Sequence, residues 1–203
     1  MGRSRFNYHI LLFWPNIIGY IRLFLITCMI ISISAHFICA CLFYLLSTVL
    51  DFFDGAVARS WNQTSRFGAQ IDVIIDIMGR GFLWVYLSPY FFFIPCIEWI
   101  VFSATSKKGK FWKDQFSSAP SWVQNVMANN FRTFLGMITM TGVDFLPLFL
   151  LTLQTDKFAM IPLVLQFLLF SGLLIGRLLS AAVEIYIIIQ HFEELLDDNY
   201  ADN

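Results

Sequence analysis

Four aspartates, Asp51, Asp54, Asp72 and Asp76, fall in one stretch, LDFFDGAVARSWNQTSRFGAQIDVIID, residues 50–76. Asp51, Asp54, Gly55 and Ala58 occupy positions i, i+3, i+4 and i+7, and Gly68, Asp72 and Asp76 occupy i, i+4 and i+8, so each set lines one face of a helix. Two neighbouring helices would each offer a pair of carboxylates beside residues with almost no side chain. Gathered in an apolar setting, such carboxylates repel one another, and each charge buried unpaired costs several kcal/mol. A divalent cation removes that cost. Oxygen ligands alone select a hard ion, Mg²⁺ or Mn²⁺, over zinc, which favours His or Cys. Magnesium keeps positions open for phosphate oxygens, which points to a phosphorylated substrate. Four carboxylates also suffice for two ions, an arrangement that polarises a phosphoryl group and stabilises the leaving oxygen.

Gly55, Ala58 and Gly68 read as space for a bulky ligand, and Arg59 and Arg66 as positive charge suited to a diphosphate. Singly, these residues have plainer readings: small residues allow close helix packing, and arginines mark a loop. The complete set at this spacing favours the ligand site.

The elements that must carry these residues are membrane-spanning. Of the 203 residues, 58% are hydrophobic, 18% aromatic and 13% charged, against about 25% charged in a soluble domain. Six apolar runs, 10–31, 36–58, 69–88, 89–105, 131–153 and 158–190, approach or exceed the length needed to cross a hydrocarbon core about 30 Å thick. The expected fold is an all-α integral membrane protein, a six-transmembrane-helix bundle forming a single domain over 1–203. The last run exceeds the bilayer and must tilt or emerge from it. Six spans put both termini on one side. Arg3, Arg5, Arg59, Arg66, Lys107, Lys108, Lys110 and Lys113 fall at connections on that side, and the opposite connections hold only Lys157. By the positive-inside rule the termini and the aspartate stretch face the cytoplasm.

No cleavable signal peptide pattern precedes the first span. Residues 106–130, SKKGKFWKDQFSSAPSWVQNVMANN, read either as an amphipathic segment lying on an anionic lipid surface or as an ordinary solvated loop. The acidic tail, about 191–203, is expected to fray. Cys28, Cys39, Cys41 and Cys96 lie within expected spans and, without a CxxC pair, read as small packing residues. His9, His36 and His191 sit near span ends and receive no catalytic role. Nothing in the composition points to a nucleic-acid partner.

The pattern Asp51-x2-Asp54-Gly55-x2-Ala58-Arg59-x8-Gly68-x3-Asp72-x3-Asp76 matches the signature of the CDP-alcohol phosphotransferase family at every fixed position. Within that family FWPNIIGYIR, FYLLSTVLD and NQTSRFGAQID most resemble the eukaryotic phosphatidylinositol synthase branch, over roughly residues 1–80. The resemblance implies six spans around a cytoplasm-facing polar cavity, residence in the endoplasmic reticulum membrane, and a homodimer as one assembly. It implies displacement of CMP from CDP-diacylglycerol by an alcohol, with myo-inositol the favoured acceptor. Position by position, it makes Asp51, Asp54 and Asp72 metal ligands and Asp76 both a ligand of a second ion and the general base. Gly55, Arg59 and Ser65 become donor contacts, with Ala58 and Gly68 beside them and Asn16 reaching the nucleotide from the first helix. The chemistry agrees: an alcohol is a poor nucleophile near neutral pH and needs a nearby base, and metals with Arg59 would offset phosphoryl and leaving-group charge.

The pattern departs from that branch after Asp76, where Ile77-Met78 stands in place of an Arg-Cys pair, and at Glu98-Trp99, where a histidine usually precedes the tryptophan. Arg80 either substitutes for the missing arginine or pairs with Asp76 at i+4. Glu98 either lines an altered acceptor pocket, together with Arg80 and Arg132, or pairs with Arg80, Arg132 or Arg177. Arg132, Asp144, Arg177 and Glu184 read either as pocket or network residues of the last two spans or as charges snorkelling from helix ends. The alternatives to an inositol-specific enzyme are the same chemistry with another alcohol, or a non-catalytic lipid-binding relative. A transporter or channel would need polar residues through the full bilayer depth, whereas the aspartates cluster at one end.

Overall fold

A computed structural model of the chain describes residues 8–106, 119–155 and 161–197, and all regular structure in them is helical. The chain divides into two compact units, Met1–Phe82 and Leu83–Asn203.

The first unit opens with a 3₁₀ turn, Tyr8–Leu12, followed by α1, Trp14–Ser32. The helix therefore begins later than the apolar run at 10. Pro15 in its first turn has the φ a helix start needs and no N–H to lose there. Side chains of α1 hold the 3₁₀ turn: the Asn16 amide donates to the Ile10 carbonyl at 2.5 Å and the Tyr20 hydroxyl to that of Leu11 at 3.1 Å. Asn16, Gly19, Arg22, Leu25 and Met29 recur every three or four residues and form the buried stripe of α1. It packs against α2, Phe37–Ser60, whose buried residues include Ala40, Tyr44 and Ser47.

Helix α3, Arg66–Leu87, continues into the second unit. It approaches α1 closely: a Cβ on Gly79 would stand 2.8 Å from Ile26 Cδ1. The α2–α3 turn is tight because Gln63 N–H reaches the Ala58 carbonyl at 2.9 Å and Asn62 takes φ 55°, a left-handed conformation that asparagine tolerates. Ser65 caps α3, its Oγ accepting the Gly68 N–H at 2.9 Å. At the other side of the turn Trp14 N–H donates to Gln63 Oε1 at 2.9 Å, and the Trp14 and Trp61 rings meet edge to face.

In the second unit a 3₁₀ turn, Pro89–Phe92, leads into α4, Phe93–Ser106, then α5, Ser121–Phe131, α6, Phe134–Gln154, and α7, Leu163–Leu196. The chain breaks at Ser88-Pro89, as expected of a proline. Of the two readings of residues 106–130, an amphipathic segment or a solvated loop, the part over Ser121–Phe131 is a helix, α5, with one apolar face. Val123, Val126 and Met127, at i, i+3 and i+4, bury against Ala104 of α4 and Val183 and Ile187 of α7. This helix is anchored by protein rather than by solvent alone; the lysines at 107, 108, 110 and 113 lie outside the described residues. Helices α6 and α7 cross with backbones almost touching, since a Cβ on Gly142 would stand 2.5 Å from both Arg177 N and Leu173 O. One on Gly176 would collide with the Ile138 carbonyl. Such small-residue crossings are how helices pack where lipid removes the hydrophobic driving force.

Among the described residues, five segments are long and apolar enough to cross a membrane: Trp14–Ser32, Phe37–Ser60, Pro89–Ser106, Phe134–Gln154 and Leu163–Leu196. Helix α3, expected as the third of six spans, is long enough at about 33 Å. It carries Arg66, Asp72, Asp76 and Arg80, and that charge keeps it out of the apolar class. The 34 residues of α7 extend about 51 Å, well beyond a bilayer core.

Candidate active site

The four aspartates converge on one guanidinium, that of Arg22 in α1. Its Nη1 lies 2.7 Å from Asp51 Oδ1 and 2.8 Å from Asp54 Oδ2 and also pairs with Asp72 Oδ1. Its Nη2 lies 2.5 Å from Asp76 Oδ1. Arg22 is sealed, with 1% of its side chain exposed, whereas Asp51, Asp72 and Asp76 retain 35%, 38% and 32%. Asp54 is the buried member of the set. Three helices thus bring four carboxyl groups around one guanidinium, with three of the four partly exposed.

The site lies inside the helices rather than at their tips. Asp54 stands six residues before the end of α2 and Asp72 six residues after the start of α3, about 9 Å from each helix end.

This donor set fits a hard divalent cation. One carboxylate oxygen from each of Asp51, Asp72 and Asp76 lies within 4.8 Å of the others. Oxygens on opposite sides of a Mg²⁺ ion stand about 4 Å apart, so small side-chain adjustments suffice. The fourth expected ligand, Asp54, joins the group through Arg22. The four cysteines are free thiols, two of them exposed.

The expected donor-side residues form two groups. Asn16, Ser65 and Gly68 meet at the start of α3, where a Cβ on Gly68 would stand 2.6 Å from Asn16 Oδ1 and 3.1 Å from Ser65 Oγ. The absence of a side chain at 68 is what admits Asn16. Gly55 and Arg59 form the second group, with Arg59 Nη1 folded back to 3.3 Å from where a Gly55 Cβ would be. Ala58 contributes its carbonyl to the α2–α3 turn. Arg66 is exposed at the first residue of α3.

The expected acceptor-side residues do not form a single group. Arg80 follows Asp76 by one turn of α3 and acts on it electrostatically. Glu98 lies in the second unit, where Arg177 Nη2 stands 3.8 Å from its carboxylate. Arg177 is also paired with Glu184, Nη1 lying 3.0 Å from Oε1 and 3.1 Å from Oε2, while the Ser180 hydroxyl donates to Glu184 at 2.8 Å. Of the partners weighed for Glu98, the structure shows Arg177. Arg132 is exposed between α5 and α6, and Asp144 is half-buried in α6.

Sequence reasoning missed Arg22, the residue that touches every motif aspartate. A signal was present: Asn16, Gly19 and Arg22 recur at three-residue intervals, and an arginine within an apolar span is a functional candidate by default.

Residues 12–192 match the family described as CDP-alcohol phosphatidyltransferase. Named relatives are similar over shorter segments. The CDP-diacylglycerol--inositol 3-phosphatidyltransferase of Candida albicans is 40% identical over 79 residues, 39% of this chain and 34% of that protein. The Homo sapiens protein of the same name is 45% identical over 73 residues, 34% of this chain and 32% of its own. A probable CDP-diacylglycerol--inositol 3-phosphatidyltransferase 2 of Arabidopsis thaliana is 29% identical over 157 residues, 72% of this chain and 68% of its own. In the first two comparisons the chain spans about a third of the relative's length. No solved structure matches the chain significantly. The family match covers nearly the whole chain and contains all four converging aspartates: the chain belongs to the CDP-alcohol phosphatidyltransferase family.

Proposed function

We propose that this protein transfers the phosphatidyl group of CDP-diacylglycerol to myo-inositol, forming phosphatidylinositol and releasing CMP. The observation that carries this reading is the convergence of Asp51, Asp54, Asp72 and Asp76 in an oxygen-only cluster, three of whose members are partly exposed. The inositol-transferring activity named for the Candida and human relatives supports the choice of acceptor.

Asp51, Asp54 and Asp72 would hold Mg²⁺ or Mn²⁺, and Asp76 would be a ligand of a second ion; bound there, the metal would polarise the phosphoryl group and offset the charge on departing CMP. Asp76 accepts the inositol hydroxyl proton as its oxygen bonds to the lipid-bearing phosphorus and the bond from that phosphorus to the CMP oxygen breaks. Gly55, Ala58, Arg59, Ser65, Gly68 and Asn16 bind the nucleotide diphosphate. Arg80, beside Asp76 on α3, is the foremost acceptor-side residue, with Glu98 and Arg132 the further candidates. Counting α3 as a span gives six, with both termini and a polar cavity facing the cytoplasm, in the endoplasmic reticulum; a homodimer is the proposed assembly.

A second reading keeps the donor and changes the alcohol, and the Ile77-Met78 sequence after Asp76 favours it. An acceptor screen separates them: purified protein with CDP-diacylglycerol and Mg²⁺ or Mn²⁺ is assayed for CMP release. Release with inositol, well above the Asp76→Asn background, is expected. Release only with another alcohol overturns the acceptor assignment, and no release with any alcohol overturns the transferase reading.

A further inference from the structure

We propose that Arg22 is a resident counter-cation of the aspartate cluster, holding the four carboxylates together without a divalent ion and competing with the ion when one binds. The inference rests on reading the cluster as a metal site. Its basis is the guanidinium geometry: Nη1 serves Asp51, Asp54 and Asp72, and Nη2 serves Asp76. Before any ion binds, a positive charge carried by the chain lowers the cost of assembling four carboxylates from α2 and α3 among apolar helices. Arginine suits the task because its planar, delocalised charge pairs in several directions at once and is always present.

The same placement sets a competition. Arg22 engages an oxygen of each aspartate, Asp51 Oδ1, Asp54 Oδ2, Asp72 Oδ1 and Asp76 Oδ1, and three of those aspartates stay about a third exposed. One guanidinium against four carboxyl groups leaves the cluster an excess of acidic groups that attracts a cation. A divalent ion taking oxygens of Asp51, Asp72 and Asp76 nevertheless meets the guanidinium's like charge at short range. Arg22 therefore lowers metal affinity while making the metal-free fold stable, so the site is ready before the ion arrives and releases it readily.

The test uses full-length protein purified in detergent, with Mn²⁺ as the probe. Free Mn²⁺ is followed by electron paramagnetic resonance and thermal unfolding is recorded in EDTA and in Mn²⁺. Arg22→Gln is expected to bind Mn²⁺ at least about tenfold more tightly than wild type, to unfold at lower temperature in EDTA, and to regain stability in Mn²⁺. Recovery of folded Arg22→Gln only when Mn²⁺ is present throughout extraction supports the same conclusion. Arg22→Lys, with a single compact donor, is expected to bind Mn²⁺ at least about threefold more tightly and to lose stability in EDTA. It decides the matter if the glutamine variant does not fold. Unchanged or weaker Mn²⁺ binding in both variants, or in Arg22→Lys alone if only that variant folds, overturns the inference. Absence of saturable Mn²⁺ binding in the wild type overturns the metal site itself, and the inference with it.

Discussion

Two buried arginines, Arg22 in the first unit and Arg177 in the second, each hold carboxylates among apolar helices, and their surroundings differ in charge balance and access. Arg22 faces four aspartates from two other helices, three of them about a third exposed. Arg177 faces Glu184 on its own helix and Glu98 on α4, with 10% and 5% of those side chains exposed. The second network has a hydroxyl, Ser180, to help satisfy its oxygens. A buried network of one arginine and two carboxylates, nearer to charge balance and sealed from water, makes a clasp, costly to break from one side and of little use to a ligand. A cluster with surplus carboxylates, three of them partly exposed, holds itself at a stability cost that a cationic partner relieves. The comparison separates a structural use of buried charge from a chemical one without reference to any relative.

The largest expected effect that sharpens this contrast is at Asp76. Asp76→Asn should lower the rate of CMP release by about 10²–10⁴-fold, the range for losing a general base. Its unfolding temperature should not fall, because neutralising one of four crowded carboxylates relieves repulsion; a matching loss of stability would make Asp76 a clasp residue instead. At the other arginine, Arg177→Met should cost about 3–5 kcal/mol by leaving buried Glu184 and Glu98 without their counter-charge, and adding Glu184→Gln should return much of it. A shift in acceptor KM with unchanged thermal unfolding would break the comparison and move the network into the acceptor site. Glycines test the same division more gently. Gly176→Ala drives a methyl into the Ile138 backbone and should cost about 1–3 kcal/mol, read by thermal unfolding. Gly68→Ala would push buried Asn16 aside and strain its bond to the Ile10 carbonyl, so it should cost about 1 kcal/mol, less than a clash with backbone. A rise in donor KM of about tenfold is expected there, read by CMP release, as for the loss of one bound contact.

The aspartates were legible because helical spacing alone groups them, and the expected convergence of α2 and α3 is what the structure contains. Arg22 was not, because an isolated charge inside an apolar run reveals its partners only when a third helix is laid beside the pair. The amphipathic reading of residues 106–130 contained α5 but not its partner: Val123, Val126 and Met127 carry a helical repeat, and only the fold shows that it buries against α4 and α7. The Gly142 and Gly176 crossing joins positions far apart in the chain, and no local pattern distinguishes them from the exposed Gly172. Helix α3 illustrates the opposite difficulty: the acids that identify the chemistry dilute the hydropathy by which a span is recognised.

The depth of Asp54 and Asp72, six residues in from the α2–α3 turn, has a kinetic consequence for the proposed reaction. A two-tailed donor can meet carboxylates set among apolar helices without leaving the leaflet, whereas a water-soluble polyol must descend to it. The two substrates are then measured in different dimensions: the alcohol by its molarity, the lipid by its mole fraction in the surface. Diluting CDP-diacylglycerol with inert lipid or detergent at constant bulk amount would slow such an enzyme, much as emptying a crowded floor slows chance meetings on it.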